Sequence, residues 1–181
     1  MSKLQHWTTA ELLKLVEAGM LSPEDRFELI DGEIVPVVPQ GRRHEVLSDA
    51  VEDRLRLLAG VDVHLACRRQ FNLAEDTFVK PDMIVCPAAI RTYDLRGDQA
   101  LLVIEIGASS LIVDLGTKAR LYAAFGVPEY WVIDAERLAT TVHRDPTPDG
   151  YTSRRVLDAG EAAQCIRVPA MVLQLTELDL D

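Results

Sequence analysis

The sequence predicts a mixed α/β fold, a central β-sheet flanked by α-helices. Two observations carry this. Stretches with helical apolar spacing alternate with short runs of strand-forming residues, in the order helix, hairpin, helix, several strands, helix, strand, hairpin. Those strand runs include continuous apolar segments, the mark of strands buried on both faces. A third property fits: 181 residues with a hydrophobic fraction of 48% are enough for one domain with an ordinary core.

Each element has a local cause. Thr8-Thr9-Ala10-Glu11 fits a capping box, with Thr8 as N-cap and Glu11 reaching back, so a helix should run from about Thr9 to Ala18 and stop at Gly19. "FELIDGEIVPVV" alternates apolar and polar residues around Asp31-Gly32, a pair favoured in a two-residue type I′ turn. Glu28 falls on the first strand of that hairpin, and Pro36 directs the second strand to a sheet edge or takes it out of the ladder early. From His44 to Ala59, Val46, Leu47, Val51, Leu55 and Leu58 form an apolar helical stripe, with Gly60 just past its end.

"VDVHLAC" and "QFNLA" read as one hairpin or bent pair, and "PDMIVC" as a short buried strand. "TYDLRGDQ" is a loop leading into "LLVIEIGASS", where Glu105 sits among Leu101, Leu102, Val103, Ile104 and Ile106. Ile112 to Phe125 is a further helix, closed by Gly126 with Pro128 shortly after. "EYWVID" is another buried strand, and "TTVHRDPTPDGYTSRRVL" a hairpin with a Pro- and Gly-rich turn.

Bulk charge narrows the function. The net charge of −10, from 29 acids and 19 bases, argues against a basic coat over the whole surface. It leaves room for a local basic groove, and Arg42, Arg43, Arg54, Arg56, Arg68 and Arg69 all fall in the first half. Glu105 breaks the most apolar run, so no stretch is long enough to span a bilayer. The N-terminal residues lack the apolar core of a signal peptide, and a cytoplasmic location is expected. Cys67, Cys86 and Cys165 are scattered and odd in number, without the spacing of a zinc site or a disulfide framework.

Glu105 raises the functional question, because a buried carboxylate needs a cation or a metal beside it. Asp82 opens a predicted strand after Pro81, and the helix after the Glu105 strand carries Asp114 and Lys118, four apart on one α-helical face. Two carboxylates and a backbone carbonyl suit Mg²⁺, with open positions for water and a phosphate oxygen. A lysine nearby can orient that water and stabilise the negative transition state. The set therefore suits phosphodiester hydrolysis. Each residue also has a plainer role: Glu105 paired with an arginine, Asp82 as a turn residue, Lys118 as the partner of Asp114, Glu28 on a wet hairpin face. Tyr130 and Trp131 could stack on bases, or pack in the core or a dimer interface.

These residues resemble a known family. "ELIDGE" at 28–33, Arg43-His44, Pro81-Asp82, Glu105-Ile106 followed by Ser109-Ser110, Asp114 with Lys118, and Tyr122 through Asp134 resemble, in order, the motifs of the Uma-type restriction endonuclease family. That family is a branch of the PD-(D/E)XK nuclease superfamily, and the resemblance runs from Thr8 to the C-terminal "VPAMVLQLTEL". It implies a single restriction-endonuclease-like domain over 1–181 that hydrolyses DNA with Mg²⁺ or Mn²⁺. Asp82 and Glu105 would be metal ligands, Ile106 would supply its backbone carbonyl, and Glu28 a further carboxylate. One departure stands out: two residues after Glu105 the superfamily's usual lysine is Gly107, and by resemblance Lys118 takes its role. Arg43, His44 and Gln70 are candidates for contact with the substrate, His44 being equally explicable as a polar residue at a helix start. A homodimer is expected by analogy with cutters of duplex DNA, since two strands need two sites. The rivals are a nuclease-like nucleic-acid-binding module without turnover, and an interaction protein that pairs through "EYWVID".

Overall fold

A computed structural model describes residues 5–22, 26–37 and 39–180. Helix α1 (Thr9–Glu17) begins at the expected capping box: Thr8 Oγ1 accepts from the Glu11 amide, and the Glu11 carboxylate accepts from the Thr8 amide. Strands β1 (Phe27–Ile30) and β2 (Glu33–Pro36) form the hairpin, and φ is positive at both Asp31 and Gly32, as a type I′ turn demands. Helix α2 (Arg42–Leu58) starts two residues before the expected His44, with Gly41 as its N-cap.

The remaining strands are β3 (Val63–Cys67), β4 (Phe71–Ala74), β5 (Thr77–Val79), β6 (Met83–Pro87), β7 (Leu102–Gly107), β8 (Glu129–Asp134), β9 (Ala139–Thr147) and β10 (Gly150–Leu157). A small pair, β11 (Ala163–Gln164) and β12 (Val172–Leu173), closes the C-terminal region.

Two sheets organise these strands. The larger runs β10-β9-β8-β7-β6-β3, with β7 and β8 as its parallel pair; the smaller runs β2-β1-β5-β4. Here one expectation fails. Strands β3 and β4 do not pair as a hairpin or bent pair: β3 pairs with β6 in the large sheet, and β4 turns back on β5 in the small one. Arg68, with φ of 51°, redirects the chain between them. The short strand β5 gave no signal of its own, because three residues are too few to show alternation. Pro36 does lie on an edge strand, β2.

The large sheet is covered on both faces. On one, Leu47, Val51 and Leu55 of α2 pack with Leu102, Ile104 and Ile106 of β7. On the other, Ala119 and Tyr122 pack with Val103, Tyr130 and Val132. Alternation along β7 therefore answers the question of Glu105. It shares the face of Val103, under the helix that follows the strand. That helical region has three parts: α3 (Leu111–Val113), a π turn (Asp114–Lys118) and α4 (Ala119–Ala124).

Tyr130 and Trp131 are fully buried in the protomer, which assigns them to the core and leaves them no interface role. Glu129 beside them is buried too. Its Oε1 accepts from Trp131 Nε1 at 2.8 Å and from Arg144 Nε and Nη2 at 3.1 and 2.8 Å, while Oε2 accepts from the Ile166 amide at 2.8 Å. With both oxygens filled, it is a structural acid. Among the described residues no helix is long and apolar enough to cross a membrane. The three cysteines are free thiols, and burial pushes Cys67 up to about 12 and Cys165 up to about 11, so neither is a nucleophile at neutral pH.

Candidate active site

Two carboxylates meet one ammonium, and a third is tied to the strand that carries one of them. Glu28 comes from β1, Glu105 from β7, and Asp82 from the residue before β6. Glu28 is buried because Leu29, its neighbour, points the other way into a small cluster with Leu12 and Phe78, which leaves Glu28 facing inward toward the large sheet. Lys118 Nζ bridges the sheets, donating to Glu28 Oε1 at 3.0 Å and to Glu105 Oε1 at 2.9 Å. Its side chain is 12% exposed. The plainer reading of Lys118 as an i, i+4 partner of Asp114 does not describe the structure: the π turn breaks α spacing there, and Asp114 Oδ2 accepts instead from Ser110 Oγ at 2.7 Å.

Each acid is held in the same manner. Glu105 Oε1 accepts from Lys118 Nζ and from the Tyr122 hydroxyl at 2.9 Å. Glu28 Oε1 accepts from Lys118 Nζ and from the Lys80 amide at 2.9 Å. Asp82 Oδ2 accepts from the Ile106 amide at 2.8 Å and lies 3.2 Å from His44 Nε2. The Asp82 backbone is fixed as well, its carbonyl accepting from the Arg68 amide at 2.9 Å. Thus one oxygen of every acid carries two contacts. The other oxygen of each takes no hydrogen bond among the described residues. The contrast with Glu129 is direct: a structural acid fills both oxygens, and these three keep one unfilled.

Electrostatics are unbalanced in the direction a cation would correct. Burial raises the Glu105 pKa well above the usual carboxylate range; Lys118 opposes this, and Asp82, Asp114 and Glu28 reinforce it. Burial likewise raises Asp114. For Lys118, burial alone favours loss of the proton, and the Glu105 and Glu28 carboxylates more than offset it, so its pKa lies above the ordinary lysine value. Lys118 is an ammonium at neutral pH. Tyr122, raised by burial and then by Glu105, remains a phenol and a donor.

Among the described residues, no three His, Cys, Asp or Glu side chains converge closely enough to cage a metal. A two-carboxylate site is a different demand. Mg²⁺ is commonly bound through one or two carboxylates, with water and substrate oxygens completing its shell. Asp82 Oδ1 and Glu105 Oε2 are hard oxygen donors of that kind. In an extended strand the amide and carbonyl of one residue face the same edge, so the Ile106 carbonyl lies on the side where its amide reaches Asp82. Carboxylate and carbonyl oxygens are the donor types that a water-rich Mg²⁺ or Mn²⁺ site uses.

Of the remaining candidates, His44 lies in the first turn of α2, as a polar residue at a helix start, where it is 4% exposed and contacts the Asp82 carboxylate. Arg43 is exposed and ion-paired with Glu136 in the turn after β8. Gln70 donates to Asn72 Oδ1 at 2.8 Å and lines a groove with Phe27, Phe78 and Lys80. Sequence reasoning missed Tyr122 as a site residue. The available signal was its place four residues after Lys118, on the same helical face.

Gly107 explains the displaced lysine. A Cβ there would lie 2.8 Å from Leu111 Cα and 2.9 Å from Leu111 Cδ1, so no side chain fits two residues after Glu105. Gly107→Ala is expected to destabilise the chain by about 1–3 kcal/mol through overpacking, read as a lower melting temperature by circular dichroism.

Comparison with known proteins agrees with this architecture. Residues 9–176 match the family model described as "Uma2: Putative restriction endonuclease". A crystal structure described as "a putative nuclease belonging to DUF820 from Anabaena variabilis ATCC 29413" superimposes with a TM-score of 0.70 at 17% identity, covering 94% of this chain and 96% of that one. At that identity the likeness is one of fold. No curated protein matches the chain.

Proposed function

The chain belongs to the Uma2 family, and from that premise we propose that it is a divalent-metal-dependent endonuclease hydrolysing DNA phosphodiester bonds, built as one domain and acting in the cytoplasm. The observation that carries the proposal is the shared way in which Glu28, Asp82 and Glu105 are tethered through one oxygen and left open at the other. Asp82, Glu105 and the Ile106 carbonyl would hold Mg²⁺ or Mn²⁺. When bound, the ion supplies Lewis-acid polarisation of the phosphate and lowers the pKa of its water.

The chain's own residues do the rest. The Ile106 amide and His44 fix the Asp82 carboxylate, and Lys118 and Tyr122 fix that of Glu105, so both donors are preorganised before substrate arrives. Lys118 remains protonated, so it acts through its charge and its N–H donors on the phosphate oxygens as negative charge builds. It does not act as the base. Glu28 keeps the ammonium aimed at the site. Arg43 at the start of α2 stands ready to exchange Glu136 for a backbone phosphate, and two copies of the chain would serve the two strands of a duplex.

Asp82→Asn tests the assignment, because it keeps an oxygen for the Ile106 amide and removes the charge. The expected result is loss of Mn²⁺ binding heat and of cleavage, with melting little changed. Undiminished cleavage overturns the site. The lack of a three-side-chain cage among the described residues favours a second reading, a nucleic-acid-binding module without turnover. That reading predicts DNA binding by the wild type with no Mn²⁺ heat.

A further inference from the structure

The position of Lys118 has a consequence for how many ions the site holds. In two-metal phosphodiesterases the ions lie about 3.5–4 Å apart and clamp the attacking and leaving oxygens. A carboxylate between them can give one oxygen to each. Glu105 has that shape here. Its Oε2, the oxygen assigned to the metal, takes no hydrogen bond among the described residues, and its Oε1 contacts a cation already present, the Lys118 ammonium. That ammonium has a second carboxylate, Glu28 Oε1, at 3.0 Å, giving the bridged acid–cation–acid arrangement of a second ion site.

We propose that the Lys118 ammonium stands in the second-cation position, bridging Glu28 and Glu105, so that the chain binds a single divalent ion. The inference rests on the metal reading above and deepens it. Charge supports it. Four carboxylates, Glu28, Asp82, Glu105 and Asp114, act on one another with Lys118 as the counter-charge, and one divalent ion added to it offsets most of the excess. Position supports it too. A tethered side chain with 12% exposure is present at every turnover, and it places its charge between one carboxylate from each of the two sheets. The second role of a metal pair, stabilising charge on the far side of the phosphate, then falls to an N–H donor.

Calorimetry with Mn²⁺ on the full chain tests this. The wild type is expected to bind one ion. Lys118→Met leaves Glu28 and Glu105 facing each other without a cation, and is expected to bind two. Lys118→Gln, which preserves hydrogen-bonding capacity should the apolar variant fold poorly, is expected to behave in the same way. Lys118→Arg should stay at one, and Lys118→Met combined with Glu28→Gln should return to one. Two ions in the wild type, or no second ion in either neutral variant, overturns the inference while leaving the metal site in place. No ion in the wild type removes both.

Discussion

Glu105→Gln is expected to lower Mn²⁺ affinity by on the order of 100-fold or more and abolish cleavage, while leaving the protein as stable as the wild type or more so. The amide keeps an oxygen for Lys118 Nζ and the Tyr122 hydroxyl, so the local packing survives. What it removes is a charge that the fold disfavours. Burial raises the Glu105 pKa, and Asp82, Asp114 and Glu28 add to the effect of burial against the single Lys118. A folded state that holds its proton more tightly than the unfolded chain loses stability as pH rises above the ordinary carboxylate value. The stability difference between Glu105→Gln and wild type should therefore widen from pH 4.5 upward. Thermal melts across pH 4.5–8 check it. A variant that melts progressively lower than wild type over that range would show that Glu105 stabilises the fold, as a simple ion-pair partner would.

A second large effect is expected away from the site. His143 is buried between Tyr130 and Tyr151, with ring centroids at 5.5 and 5.6 Å. Burial, aided by Arg154, lowers its pKa to about 4. Its Nδ1 has no partner among the described residues. The unfolded chain takes up a proton near the ordinary value of about 6.5, and the folded one does not until about 4. Stability contributed by the neutral ring is thus complete above pH 6.5 and is lost as pH falls from 6.5 toward 4, by on the order of 2–3 kcal/mol. His143→Phe should flatten that fall, measured by urea denaturation at pH 7 and pH 4.5. An unchanged slope would mean that the imidazole titrates normally in the fold.

Much of the fold was legible because it rests on local chemistry. The Thr8–Glu11 box, the Asp31-Gly32 turn and the α2 stripe each announce an element within a few residues. The partners of β3 and β4 were not legible. Proximity in sequence favours a hairpin, and only the sheet context, together with the backbone turn at Arg68, sends them to different sheets. At the candidate site, the identities of Glu28, Asp82, Glu105 and Lys118 were visible in the motifs, but the route by which Lys118 arrives was not. A continuous α-helix from Ile112 to Phe125 was expected, and the π turn at Asp114–Lys118 is set by packing that sequence periodicity does not encode. His44 and Tyr122 show the same limit, since their partners lie 38 and 17 residues away.

The bridge from Glu28 through Lys118 to Glu105 joins two sheets that hydrogen-bond as separate ladders. Slippage of one ladder against the other would pull the acids apart, so any ligand that needs them together also resists that slippage. Occupancy should then be felt far from the carboxylates. The amides of β1 and β5 should exchange hydrogen more slowly when the site is filled, even though most of them never approach it.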